Sequence, residues 1–347
     1  MAARKKRDPS ALNKLKRDLK EGNLGQLYIF YGEEVYLRDY YLGEIKKQLI
    51  PEMEAFNYHR FEGKGLAVRD LSAAMDSLPV QNNRTMLVVD DYDLYKSGER
   101  AELLALLSDI PPYCCLIFVY DTISYQPDAR TKLFPVIRDK GEAISFIRQA
   151  QGDLVKWVLR RFSALGHDIG PKEAEYLIFI GGGLMTGLIS EIEKIGAYVS
   201  GPTITKEDID AVADPVLDAV VFQMTDAVAK DDMSGAASIL GRLMRMQQPP
   251  IMILAVLGKQ MRQLYSARLA LEAGKDETYL QNIWKLQSSY PARLLLQGAR
   301  RFDLPWCRRA VILCEKADLE LKRSGMPEKT LLATLLMQLA AGPRKGT

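Results

Sequence analysis

Three places in the chain join residue types that could handle phosphate or a metal ion. The first is Leu27-Tyr-Ile-Phe-Tyr-Gly-Glu-Glu34, an apolar run that ends in Gly32 and two carboxylates. A strand that turns through glycine into a helix, here Val35 to Gln48, is the setting of a P-loop. In that motif, G-x-x-x-x-G-K-[S/T], backbone N–H groups cradle phosphates, lysine neutralises them and a hydroxyl holds Mg²⁺. Here Gly32 is followed by Glu33 and Glu34, which suit the positive end of a helix dipole but repel phosphate. The second place is Asp90-Asp91, after the apolar run Thr85–Val89. An acid at such a strand end can hold Mg²⁺, but with no P-loop lysine or hydroxyl the pair reads as a strand-terminating turn. The third, Gly181-Gly182-Gly183, follows a helical pattern and not a strand, so it reads as a turn between helices.

No other constellation points to catalysis. The chain has no G-x-S-x-G elbow and no H-E-x-x-H pair. Cys114 and Cys115 sit in a strand-like apolar run, and Cys307 and Cys314 share one helix face. Free cysteine in such settings is core. His59 and His167 lie far from each other and from the cysteines in sequence, without zinc-ligand spacing. No catalytic, cofactor-binding or metal residue is assigned, no cofactor is expected, and the four cysteines suit a reducing cytoplasm. The charged N-terminus lacks an apolar signal region, and no apolar run is long enough to span a bilayer. Neither export nor membrane contact is expected.

The elements that would position these residues change character along the chain. Residues 10–149 alternate apolar strands (Leu27–Tyr31, Ala55–Phe61, Thr85–Val89, Cys114–Tyr120, Ala143–Phe146) with amphipathic helices, the pattern of a parallel sheet covered on both faces. Residues 150–213 read as a small helical bundle. Asp153 is a candidate N-cap, Pro171 opens a helix, and Thr205 to Asp208 is a candidate capping box. Residues 214–342 carry long helices with apolar residues three and four apart, and the apolar stretch Ile251–Leu257 places one helix at a bundle centre. Residues 1–9 and 343–347 are tails.

With 347 residues and 48% apolar content, the chain can bury ordinary cores. Its net charge of +3 hides an asymmetry. Residues 1–20 hold eight basic and two acidic residues, a balance of +6, so the remainder carries −3. Arg4, Lys5, Lys6 and Arg7 are candidates for a nucleic-acid-attracting arm, and equally for a solvated terminus. The pairs Arg300-Arg301 and Arg308-Arg309 read as solvated helix faces. The segment Met75 to Arg84 places Met75, Leu78 and Val80 around Pro79 in a loop. Either these side chains fold back on the sheet edge or they form an exposed partner site.

Several patches, in order and at matching spacing, resemble the delta subunit of the bacterial DNA polymerase III clamp loader. They are Leu27 to Leu37, the Leu78-Pro79 tip with Arg84 to Val89, Glu191 to Ile195 with Tyr198, Ile204 to Ile209, Val221-Phe222, Gln260 to Arg262, and Asp318 to Lys322. The resemblance covers residues 10–342. It implies an AAA+-like fold of three parts: a RecA-like α/β domain without a P-loop, a helical lid, and a helical collar that joins a pentameric ring. It implies no ATPase activity in this subunit, which would work within a DNA-directed DNA polymerase holoenzyme. The implied partners are the ring-shaped sliding clamp (the beta subunit), the ATPase subunits (tau/gamma), delta-prime, and primed DNA through the complex. The implied action is to grip the clamp and open it for loading. The gripping stretch corresponds to Leu78, Pro79, Val80 and Gln81, with Met75 beside it. The family shows aromatic or large apolar residues at the two positions after the proline, and this chain has Val80 and Gln81, a smaller anchor. Candidate DNA contacts are Arg4, Lys5, Lys6, Arg7, Lys322 and Arg323. The rival readings are a free-standing DNA-binding helical protein and a degenerate P-loop ATPase.

Overall fold

The apolar runs of the first 150 residues form five parallel strands in the order β2-β3-β4-β1-β5. The computed structural model describes residues 9–245, 247–323 and 326–341, and the chain divides into two units, Met1–Arg148 and Gln149–Thr347. The elements of the first unit are α1 (Pro9–Glu21), β1 (Leu27–Tyr31), α2 (Val35–Leu49), α3 (Glu54–Asn57), β2 (Tyr58–Glu62), α4 (Val68–Met75), β3 (Thr85–Asp90), α5 (Arg100–Ser108), β4 (Cys114–Tyr120), α6 (Leu133–Lys140) and β5 (Gly141–Ser145).

The two-residue period of a strand explains how one sheet serves two cores. Leu27 and Ile29, Leu87 and Val89, and Leu116 and Phe118 point to one face, where α4, α5 and α6 add Leu71, Leu103 and Ile137. Tyr28 and Phe30, Met86 and Val88, and Ile117 and Val119 point to the other, where α1 and α2 add Leu15 and Ile45. Each such side chain contributes about 1.5–3 kcal/mol when fully buried. Cys114 and Cys115 fall on opposite faces, both buried. Burial pushes the Cys114 thiol up to about 11 and the Cys115 thiol up to about 12.

Two boundaries differ from expectation for local reasons. Ala55 and Phe56 are helical, not extended. Met53 turns the chain in the left-handed region (φ 51), and the Asn57 side chain closes the turn on the Met53 carbonyl at 2.9 Å, so the strand starts at Tyr58. Helix α6 starts at Leu133 and not Ala129, because Asp128 organises a turn by accepting from the Arg130 side chain and from its own N–H.

The second unit is α7 (Gln151–Ala164), β6 (Asp168–Ile169), α8 (Pro171–Ile180), α9 (Met185–Tyr198), β7 (Thr203–Ile204), α10 (Lys206–Val212), α11 (Leu217–Ala229), α12 (Met233–Arg245), α13 (Pro250–Glu272), α14 (Glu277–Trp284), α15 (Ser289–Ala299), α16 (Leu304–Arg323) and α17 (Glu328–Ala340). Helix α7 begins earlier than expected: Ala150 is its N-cap and Asp153 lies within its first turn. Thr205 and Asp208 form the anticipated capping box, and the bond from Thr205 lowers the Asp208 carboxyl. The two-residue strands β6 and β7 pair in parallel, a feature too short to leave a periodic signal. Helix α13 packs against α11, α14, α15, α16 and α17 and carries Leu254, Leu257, Met261 and Leu264 into the shared core. Among the described residues no single helix is long and apolar enough to cross a membrane.

Candidate functional site

Because every strand runs the same way, one edge of the sheet collects the strand C-termini and the opposite edge their N-termini. The C-terminal edge holds Gly32, Asp90, Asp91 and Asp121, the positions at which an open α/β sheet ordinarily binds its ligand. Here the polar groups are spent on the protein itself. Gly32 adopts φ 125, and a Cβ at this position would lie 2.2 Å from the Phe146 carbonyl oxygen. The chain after β5 is thus pressed against the turn. The Glu34 N–H, which in a P-loop would face phosphate, donates to the Phe146 carbonyl at 2.9 Å, and the Phe146 N–H donates to the Tyr31 carbonyl at 2.7 Å. Glu33 pairs with Arg148 at 3.2 Å. Arg38, buried on α2, donates to Asp121 Oδ1 at 2.9 Å and to Asp39 Oδ1 at 3.2 Å, the pairing a buried cation needs.

The two aspartates after β3 are committed as well. Asp90 accepts two bonds from the Arg60 guanidinium, at 2.6 and 3.0 Å. Asp91 accepts from the N–H groups of Asp121, Thr122 and Ile123. Burial alone would raise the Asp91 carboxyl, but the bonds from Thr122, Asp121 and Ile123 outweigh it and hold the group below its ordinary range. Among the described residues no three of His, Cys, Asp or Glu gather to hold a metal ion.

The N-terminal edge behaves differently. The segment between α4 and β3 returns to the sheet under tight restraint. Arg84 donates to the carbonyls of Leu24 (2.7 Å), Gly25 (2.6 Å) and Cys114 (3.1 Å), and the Thr85 N–H donates to the Tyr113 carbonyl. At the tip, the Val80 N–H donates to Asn57 Oδ1 at 2.7 Å while Asn57 Nδ2 donates to the Val80 carbonyl at 2.8 Å. Asn57 itself is fully buried. With its backbone fixed in this way, the tip leaves apolar side chains in solvent. Leu78 is 71% exposed and Val80 39%. Pro79 is half-buried, and Gln81 is exposed with φ 57.

Met75 corrects the expected site. It is 1% exposed and packs in the core with Leu71 and Leu87, because it closes α4 on the face shared with Val68 and Leu71. It supports the tip from beneath and offers no surface. Lys322 and Arg323 are exposed at the C-terminal end of α16, where Lys322 pairs with Asp318 at 2.6 Å. Arg4, Lys5, Lys6 and Arg7 lie outside the described residues. Sequence reasoning missed Met53 and Phe56, which are exposed beside the tip. Their place depends on Asn57 reaching Val80 across the fold, and no periodic pattern encodes that.

A five-stranded α/β unit with a self-occupied phosphate turn, followed by a helical C-terminal region, defines an AAA+-like module of the clamp-loader type. Comparison with known proteins agrees. Residues 28–140 match the family model described as DNA polymerase III, delta subunit, and residues 218–339 match that of the DNA polymerase III delta subunit, C-terminal domain. The Bacillus subtilis DNA polymerase III subunit delta is 20% identical over 334 residues, spanning 93% of this chain and 95% of the relative. The "Probable DNA polymerase III subunit delta" of Aquifex aeolicus is 22% identical over 261 residues, 72% of this chain and 73% of the relative. The solved structure of the Bacillus subtilis DNA clamp loader delta protein superposes with a TM-score of 0.56 at 19% identity, covering 95% of this chain and 100% of that one. The chain belongs to the DNA polymerase III delta subunit family. Its role is that of a clamp-loader subunit in DNA replication, in complex with other replication subunits.

Proposed function

We propose that this subunit binds the ring-shaped sliding clamp through Leu78, Pro79, Val80 and Gln81 and opens it for loading onto primed DNA. One observation carries the reading: Leu78 stands 71% exposed on a tip whose backbone is locked by Asn57. An apolar side chain held in solvent by a rigid loop is the form of an interface anchor, since little ordering entropy remains to be lost on binding. Opening then follows from differential affinity. A tip that binds the strained, open clamp more tightly than the closed one shifts the ring toward opening by that difference.

In this reading ATP binding and hydrolysis belong to neighbouring tau/gamma subunits, and delta-prime completes the pentameric ring. Residues 150–213 serve as the lid, and 214–342 as the collar that joins the ring. Arg4, Lys5, Lys6, Arg7, Lys322 and Arg323 contribute to holding primed DNA in the assembled complex, and the subunit works in the cytoplasm. Family membership and the self-occupied Gly32 turn support this division of labour. The test is the affinity of the purified chain for the sliding clamp of the same organism. Leu78→Ala and Val80→Asp should each weaken it by about tenfold or more with thermal unfolding unchanged. Unchanged affinity for both variants removes the tip from the account.

A further inference from the structure

We propose that Phe56, with Met53 beside it, is a second anchor of the clamp-docking face and supplies the aromatic group that the tip itself lacks. The inference rests on the clamp-binding reading of the tip. Helix α3 and the tip are one surface. Asn57 binds the Met53 carbonyl and both backbone groups of Val80, and Asn82 Nδ2 donates to the Glu52 carbonyl at 2.6 Å. On this shared frame Phe56 is 56% exposed and Met53 39%, next to Leu78 and Val80. Single exposed apolar residues need no explanation, but four large ones on two bonded segments form a patch that a partner would cover.

The backbone adds a second observation. Met53 (φ 51) and Gln81 (φ 57) both hold the left-handed region without being glycine, one in each segment. Such conformations persist where the surroundings enforce them, and they cluster at binding sites. The occupant is the clamp and not a second copy of this chain. The patch is continuous with Leu78, and its rim bears exposed Glu52 and Asp76, which self-association about a two-fold axis would set against their own copies. The clamp's contribution would be an apolar pocket with a neutral or basic margin. A phenylalanine offers far more area to such a pocket than Val80 does, so the anchoring is divided between the tip and α3.

The experiment compares Phe56→Ala, Phe56→Trp and Leu78→Ala in the full chain, measuring affinity for the purified sliding clamp, self-association, and assembly with the clamp-loader ATPase subunits. Phe56→Ala should weaken clamp binding by about tenfold or more, and Phe56→Trp should retain tight binding. If Leu78→Ala weakens binding and Phe56→Ala does not, this inference fails while the tip reading stands. If neither weakens it, both fail. Loss of self-association or of ATPase-subunit assembly in Phe56→Ala, with clamp affinity intact, also overturns the inference.

Discussion

The two edges of the parallel sheet use the same kind of loop for opposite ends. At the C-terminal edge, Gly32, Glu34, Asp90 and Asp91 occupy positions where polar groups usually face a ligand, yet each bonds to its own chain. At the N-terminal edge, Asn57 and Arg84 satisfy the backbone so completely that Leu78, Val80 and Phe56 can stay in solvent. One edge is inward-looking in its polar groups, and the other is outward-looking in its apolar ones. Rigidity therefore does not by itself mark a site. What matters is which groups remain uncommitted once the backbone is fixed. By that measure the work of this module has moved from the ordinary ligand edge to the opposite one.

Three substitutions break the comparison at different depths. Gly32→Ala is the most damaging, because its Cβ would lie 2.2 Å from the Phe146 carbonyl oxygen at a positive φ. It should cost roughly 2–4 kcal/mol in denaturant unfolding. Asn57→Ala leaves the buried backbone groups of Val80 without their partner and should cost about 2 kcal/mol. It should also weaken clamp binding, even though Asn57 is buried and cannot touch a partner. An Asn57→Ala chain that is destabilised yet binds at full affinity would show that the locking of the tip is irrelevant to function.

Asp91→Asn should have the smallest effect, and its pH dependence identifies the cause. The folded carboxyl lies below its ordinary value of 3.8. Its contribution is therefore complete above that pH and is lost as pH falls through the folded value. The wild type should exceed Asp91→Asn in stability at neutral pH, and the gap should close on acidification below about 4. A gap that persists at low pH would mean that the carboxylate is not what holds the Thr122 turn.

Much of the frame was legible because its signals are local. The run Leu27–Tyr31 into Gly32, the apolar β4, Pro171 opening α8, and the Thr205/Asp208 capping box all depend on residues within a few positions of each other. What escaped depends on distant partners. Phe56 sits in a stretch that reads as strand, and only the Asn57 bond to Val80 places it at the surface beside the tip. Met75 reads as part of an apolar tip, but the helix turn that ends at Asp76 directs it into the core. The missing lysine after Gly32 was visible in the sequence. That Phe146 fills the same space was not, since residues 32 and 146 meet only through sheet order.

The central claim is that partner binding resides at the tip edge and not at the closed ligand edge. The direct measurement is the affinity of the full chain for its sliding clamp, comparing Leu78→Asp with Glu33→Gln, a change at the C-terminal edge that touches only the ion pair to Arg148. The account predicts that Leu78→Asp loses about a hundredfold or more while Glu33→Gln binds as the wild type does. Full affinity in Leu78→Asp, or a comparable loss in Glu33→Gln, would contradict it.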